Sequence, residues 1–80
     1  MLTAAQIRAA RGLLNWSQVR LAEATRLSVQ TIKRMEGVRG PDGSTEANVE
    51  AVRRALESAG VIFLEAKSVT DGGPGVRLKK

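Results

Sequence analysis

Gln30, Lys33 and Arg34 fall inside a nine-residue stretch, Ser28 to Glu36, in which Ile32 and Met35 repeat at helical spacing. With those two apolar side chains turned inward, the amide and the two cations occupy the outer sides of a short helix. That surface suits hydrogen bonding to base edges: a glutamine can pair with adenine N6 and N7, and an arginine with guanine O6 and N7. The 80 residues include no histidine and no cysteine, which removes the usual zinc ligands, imidazole bases and thiol nucleophiles together. Only carboxylates and lysines remain as conventional catalytic groups, and nothing pairs them. The expectation is a binding protein that is no enzyme and needs no cofactor or metal.

The elements that must position this surface are written in the capping residues. Ser17 and Ser28 each precede a helical apolar pattern and can accept a first-turn N–H. They predict helices over 18–25 and 29–36, joined by a tight turn. Trp16, one residue before its cap, can fold against Leu21 as a hydrophobic staple. Gly37 is expected to stop the second of these helices in a left-handed conformation. Thr3 and Gln6 form a capping-box pattern for a first helix over 4–13, with Ile7, Ala10 and Leu14 facing the core. Residues 38–44 are rich in turn formers and lack an apolar period, so they read as a loop with Pro41, Asp42 and Gly43 at its tightest point. Ser44 or Thr45 then caps a fourth helix over 46–59, in which Val49, Val52 and Leu56 make the buried stripe and Gly60 ends the run. Glu50 and Arg54 stand at pairing distance along it. Residues 61–64, β-branched and aromatic, predict a strand; a turn signal at 70–75 and a return strand at 76–78 complete a β-hairpin.

Ser17-Gln18, Leu21-Ala22, Ser28, Ile32 and Glu36-Gly37, in this order and spacing, resemble the phage repressor/Cro (XRE-like) helix-turn-helix family. The resemblance covers about residues 5–60. It departs from the family at Trp16, where a leucine is usual, and at Thr25-Arg26 in the turn, where a glycine is common. It implies a mainly α fold: a lambda-repressor-like bundle of four helices, here with a small C-terminal β-hairpin. It places Val29, Gln30 and Arg34 at base-facing positions with Lys33 beside them, and Gln18 on a DNA phosphate. It also implies an ion pair between Arg11 and Glu36 that holds the second helix of the motif to the first helix of the domain, a structural role. Thr31 and Arg39 are further phosphate candidates from their positions. The domain division that follows is 1–60 for DNA binding and 61–80 for a hairpin and tail, a candidate dimerisation element.

The charge distribution agrees with a polyanionic partner. The net charge is +5, and residues 1–40 hold all of the excess, with seven cations against two carboxylates. Lysine and arginine near phosphates gain by releasing condensed counterions. Double-stranded DNA is therefore the expected partner, bound by a homodimer on an inverted repeat. The second reading is a protein-interaction module, an antitoxin or an antagonist of another regulator, that meets a protein partner through the hairpin. No apolar run is long enough to span a bilayer, and the first helix, interrupted by Gln6, Arg8 and Arg11, lacks a signal peptide's apolar core. No membrane association and a cytoplasmic location are the expectations. A lone two-stranded hairpin is marginal in water, so this one needs the helices or a second subunit against its apolar face.

Overall fold

Thr3, Ser17, Ser28 and Thr45 each adopt an extended backbone just before a helix, and each side chain accepts the backbone N–H three residues on. In the computed structural model, which describes residues 2–64 and 75–79, these caps start α1 (Ala4–Leu14), α2 (Gln18–Thr25), α3 (Val29–Met35) and α4 (Glu46–Ser58). Thr45, rather than Ser44, caps α4. The capping box at Thr3 and Gln6 is complete in both directions, at 3.1 and 3.0 Å. The fold is mainly α, as expected.

The helices meet over Ile7 and Ala10 of α1, Leu21 and Ala22 of α2, Ile32 and Met35 of α3, and Val52 and Leu56 of α4, all buried, with Leu2 and Val61 closing the ends. Leu14, Trp16 and Val49 pack against this core while remaining partly exposed. Apart from Leu2, Trp16 and Val61, which lie outside the helices, these positions form the apolar stripes of their own helices, so burial of those stripes holds the bundle together.

Two local expectations are corrected. Gly37 is not left-handed: α3 closes at Glu36 in an ordinary right-handed conformation (φ −90°, ψ 0°), and the left-handed residue comes three positions later, at Gly40 (φ 65°). The chain leaves the helix through short turns, Gly37 N–H to the Arg34 carbonyl and Gly40 N–H to the Gly37 carbonyl, which need no inversion at residue 37. Residues 38–44 are not all loop, because Gly40–Gly43 form a 3₁₀ turn that buries Pro41. The α2–α3 turn keeps its left-handed step without glycine, with Arg26 adopting φ 63°.

After Gly60 (φ 107°), β1 (Val61–Leu64) pairs antiparallel with β2 (Gly75–Leu78), with Val61 opposite Leu78 and Phe63 opposite Val76. The turn expected at 70–75 lies outside the described residues apart from Gly75, which opens β2. Val61, Phe63 and Val76 pack on the helical core, so α1 and α4 cover one face of the hairpin. Buried Gln6 adds a polar tie, since its Nε2 donates to the carbonyls of Leu64 (3.2 Å) and Gly75 (3.1 Å), one from each strand. None of the described helices is long and apolar enough to cross a membrane.

Candidate nucleic-acid interface

The two faces of α3 are sharply different. Ile32 and Met35 are fully buried, whereas Gln30, Lys33 and Arg34 are exposed on the other sides of the same two turns. A rod seated on its apolar side presents one amide and two cations to solvent. Val29 is intermediate: it leans on the core and leaves only part of its side chain accessible. Thr31 is half-buried, and its hydroxyl lies 2.9 Å from that of Ser28, so it belongs partly to the helix cap. Arg39 is exposed just beyond the helix, next to a Val38 side chain that stands wholly in solvent.

Glu36, at the C-terminal end of α3, is the residue on which three helices converge. Its carboxylate accepts Arg11 Nε at 2.7 Å and Nη2 at 2.9 Å, and its side chain is only 3% exposed. Arg11 also donates from Nη1 to the Trp16 carbonyl at 2.9 Å, tying α1 to the start of α2. The fork of a guanidinium fits a carboxylate with two parallel bonds, which fixes angle as well as distance. The hydrogen bond to Glu36 raises the Arg11 pKa and outweighs the opposing effect of burial, so the guanidinium stays charged.

Gln18 joins the same cluster, its Nε2 donating to Glu36 Oε1 at 3.1 Å. The bond sets the polarity of the amide: one Nε2 hydrogen is used on the carboxylate, and the second remains a donor. An amide turned this way at the N-terminal end of α2 is suited to an anion.

Two participants carried no signal of their own in the sequence. Arg8 reaches the backbone carbonyl of Glu36 with Nη1 at 2.6 Å. Its position three residues before Arg11, on the same face of α1, is the one clue that could have found it. Arg20 lies over the Trp16 ring, 4.9 Å from its centroid, a cation–π contact that shields the indole.

Comparison with known proteins agrees with this geometry. A sequence model described as "Helix-turn-helix" matches residues 7–57, which takes in most of α1, all of α2 and α3, and nearly all of α4. The chain belongs to the helix-turn-helix family of DNA-binding regulators, of the XRE type. No curated protein matches it. In this helix-turn-helix protein α2 and α3 are the two helices of the motif, and β1 and β2 lie beyond the matched residues.

Proposed function

We propose that this helix-turn-helix protein is a sequence-specific transcriptional regulator that lays α3 in the major groove of double-stranded DNA. Gln30 and Arg34 then meet base edges, Lys33 and the accessible part of Val29 flank them, and Gln18, Thr31 and Arg39 serve the phosphates. The observation that carries this reading is the exposed Gln30, Lys33 and Arg34 surface on a helix whose opposite side is wholly buried. A reading helix must be immobile on its scaffold, because bidentate base contacts tolerate little displacement. The concentration of positive charge in residues 1–40 adds the sequence-independent attraction to phosphates.

The protein acts as a homodimer on an inverted repeat, with a second copy held through the C-terminal hairpin. Alternation along the strands turns Ile62 and Leu64 to the face opposite Val61 and Phe63, away from the covering helices. Half-sites are then about one helical turn apart, near 34 Å, so that both reading helices reach successive major grooves on one side of the duplex.

Selection of bound duplexes from a random pool, followed by sedimentation of the complex, tests both parts. Enrichment of a symmetric site with that spacing and a two-to-one complex is the expected result. A single half-site with one protein per duplex would remove the dimer. Absence of any preferred duplex would favour the antagonist role, in which the fold serves only a protein partner.

A further inference from the structure

We infer that Arg8 is a positioning residue for base reading, acting through the end of α3 rather than on the DNA itself. The inference rests on the assignment of α3 as the reading helix.

Seven residues make a helix too short to hold its shape alone, so its ends depend on partners outside it. The N-terminal end has Ser28. The C-terminal end lacks the left-handed glycine that commonly satisfies the last carbonyls: Glu36 is right-handed and Gly37 is not inverted. The Gly37 N–H turns back to the Arg34 carbonyl, and the Glu36 carbonyl beyond it receives no backbone N–H among the described residues. Arg8 Nη1 fills that gap at 2.6 Å, and a cation there also complements the negative end of the helix dipole.

Arg8 and Arg11 are neighbours on α1, and together they hold Glu36 at two separate points, backbone carbonyl and carboxylate. One point of attachment leaves a pivot. Two points fix the rotation of the final turn about α1. Arg34 belongs to that turn, and the Gly37 N–H bonds its carbonyl, so a shift of Glu36 moves the guanidinium that faces the base. Arg8 is itself exposed, which makes direct contact with a phosphate the competing role.

The test compares wild type with Arg8→Met, which keeps an unbranched apolar stem and loses the donors and charge, and with Arg8→Lys, which keeps the charge and one donor group. Two measurements are made: amide hydrogen exchange of the free protein at Glu36 and Gly37, and affinity for the selected duplex and a scrambled one across a range of salt. In Arg8→Met, exchange at those amides should rise about 3- to 10-fold, the scale of one lost hydrogen bond. The ratio of selected to scrambled affinity should fall by a similar factor, with the salt slope unchanged. Arg8→Lys should recover most of both losses.

A salt slope reduced by about 0.9 with discrimination intact would make Arg8 a phosphate ligand and overturn the proposal. Unchanged exchange in Arg8→Met, beside a wild type that does discriminate, would overturn the role of Arg8 alone. A wild type with no duplex preference would instead overturn the assignment of α3, and this role with it.

Discussion

Helix α1 holds two parts of the molecule by opposite chemistry. Toward α3 it extends Arg8 and Arg11, which grip Glu36 with a charged fork and a charged hydrogen bond. Toward the hairpin it extends Gln6, a neutral amide shared between the carbonyls of Leu64 and Gly75, and the apolar surface under Val61, Phe63 and Val76. A buried ion pair is expensive to desolvate and contributes little net stability, but it is strict about geometry. A neutral amide between carbonyls costs less to bury and allows more latitude. The strict fastening holds the helix proposed to read bases, and the looser one holds two short strands that need only stay attached.

The largest expected effect comes from breaking the strict fastening. Glu36→Ala removes the acceptor of Gln18 and leaves Arg11, 20% exposed, with only the Trp16 carbonyl, and should cost about 3 kcal/mol in urea denaturation, the lower end for breaking a buried pair. That is a large share of the roughly 5 to 15 kcal/mol by which a typical domain is stable. A loss below about 1 kcal/mol would mean that the pair is exposed to solvent after all. The arginine side of the pair is insensitive to pH in the ordinary range. Its folded pKa is raised, so its contribution is complete below the unfolded value and is lost only as strong base titrates the folded group.

The looser fastening gives a smaller and more local result. Gln6→Ala removes both cross-strand bonds and one arm of the capping box, for an expected loss of about 1 to 3 kcal/mol. Hydrogen exchange should accelerate in β1 and β2 and leave α3 unchanged. Acceleration in α3 as well would show that the two attachments of α1 are coupled.

On the proposed reading surface the contrast is between positions rather than attachments. Arg34→Ala should lower discrimination at one base pair by about 1 to 3 kcal/mol, measured by competition between duplexes. Gln18→Ala should weaken all duplexes alike and leave the salt slope unchanged, because a neutral amide on a phosphate releases no counterion. Equal weakening of every duplex by Arg34→Ala would reject its contact with a base.

The smallest effect is expected at the turn before α3. Arg26 carries a left-handed backbone, a strain of about 1 to 2 kcal/mol for a residue with a Cβ. Arg26→Gly relieves it but loosens the unfolded chain, so the net gain should be within about 1 kcal/mol. Thermal denaturation should show a small rise in midpoint, and a fall would mean that the arginine side chain makes a contact the glycine loses.

Much of the architecture was legible because it depends on local chemistry. Caps of the right type preceded apolar residues of the right period, so α2 was placed to the residue and the other helices to within one. Helix ends were less legible. Gly37 carries the residue type of a left-handed terminator, yet the chain leaves α3 without inversion there, and the free carbonyl of Glu36 is met by Arg8 of α1, 28 residues away in sequence. Of the site residues, the exposed side of α3 followed from its apolar side. The engagement of Gln18 with Glu36 and of Gln6 with the hairpin did not, since both donors reach partners far away in the chain.

Taken alone, the amino-acid order determined the four helices, the two strands, the surplus of positive charge around the motif and the absence of histidine and cysteine. These follow from properties that each residue has with its near neighbours: capping, periodicity, β-branching and charge. Tertiary structure alone decided which donor reached which carbonyl: Arg8 to the end of α3, Gln6 to both strands, Gln18 to Glu36. Long polar side chains have many rotamers and little intrinsic preference among partners, so their bonds are chosen only once burial of the core has brought acceptors within reach.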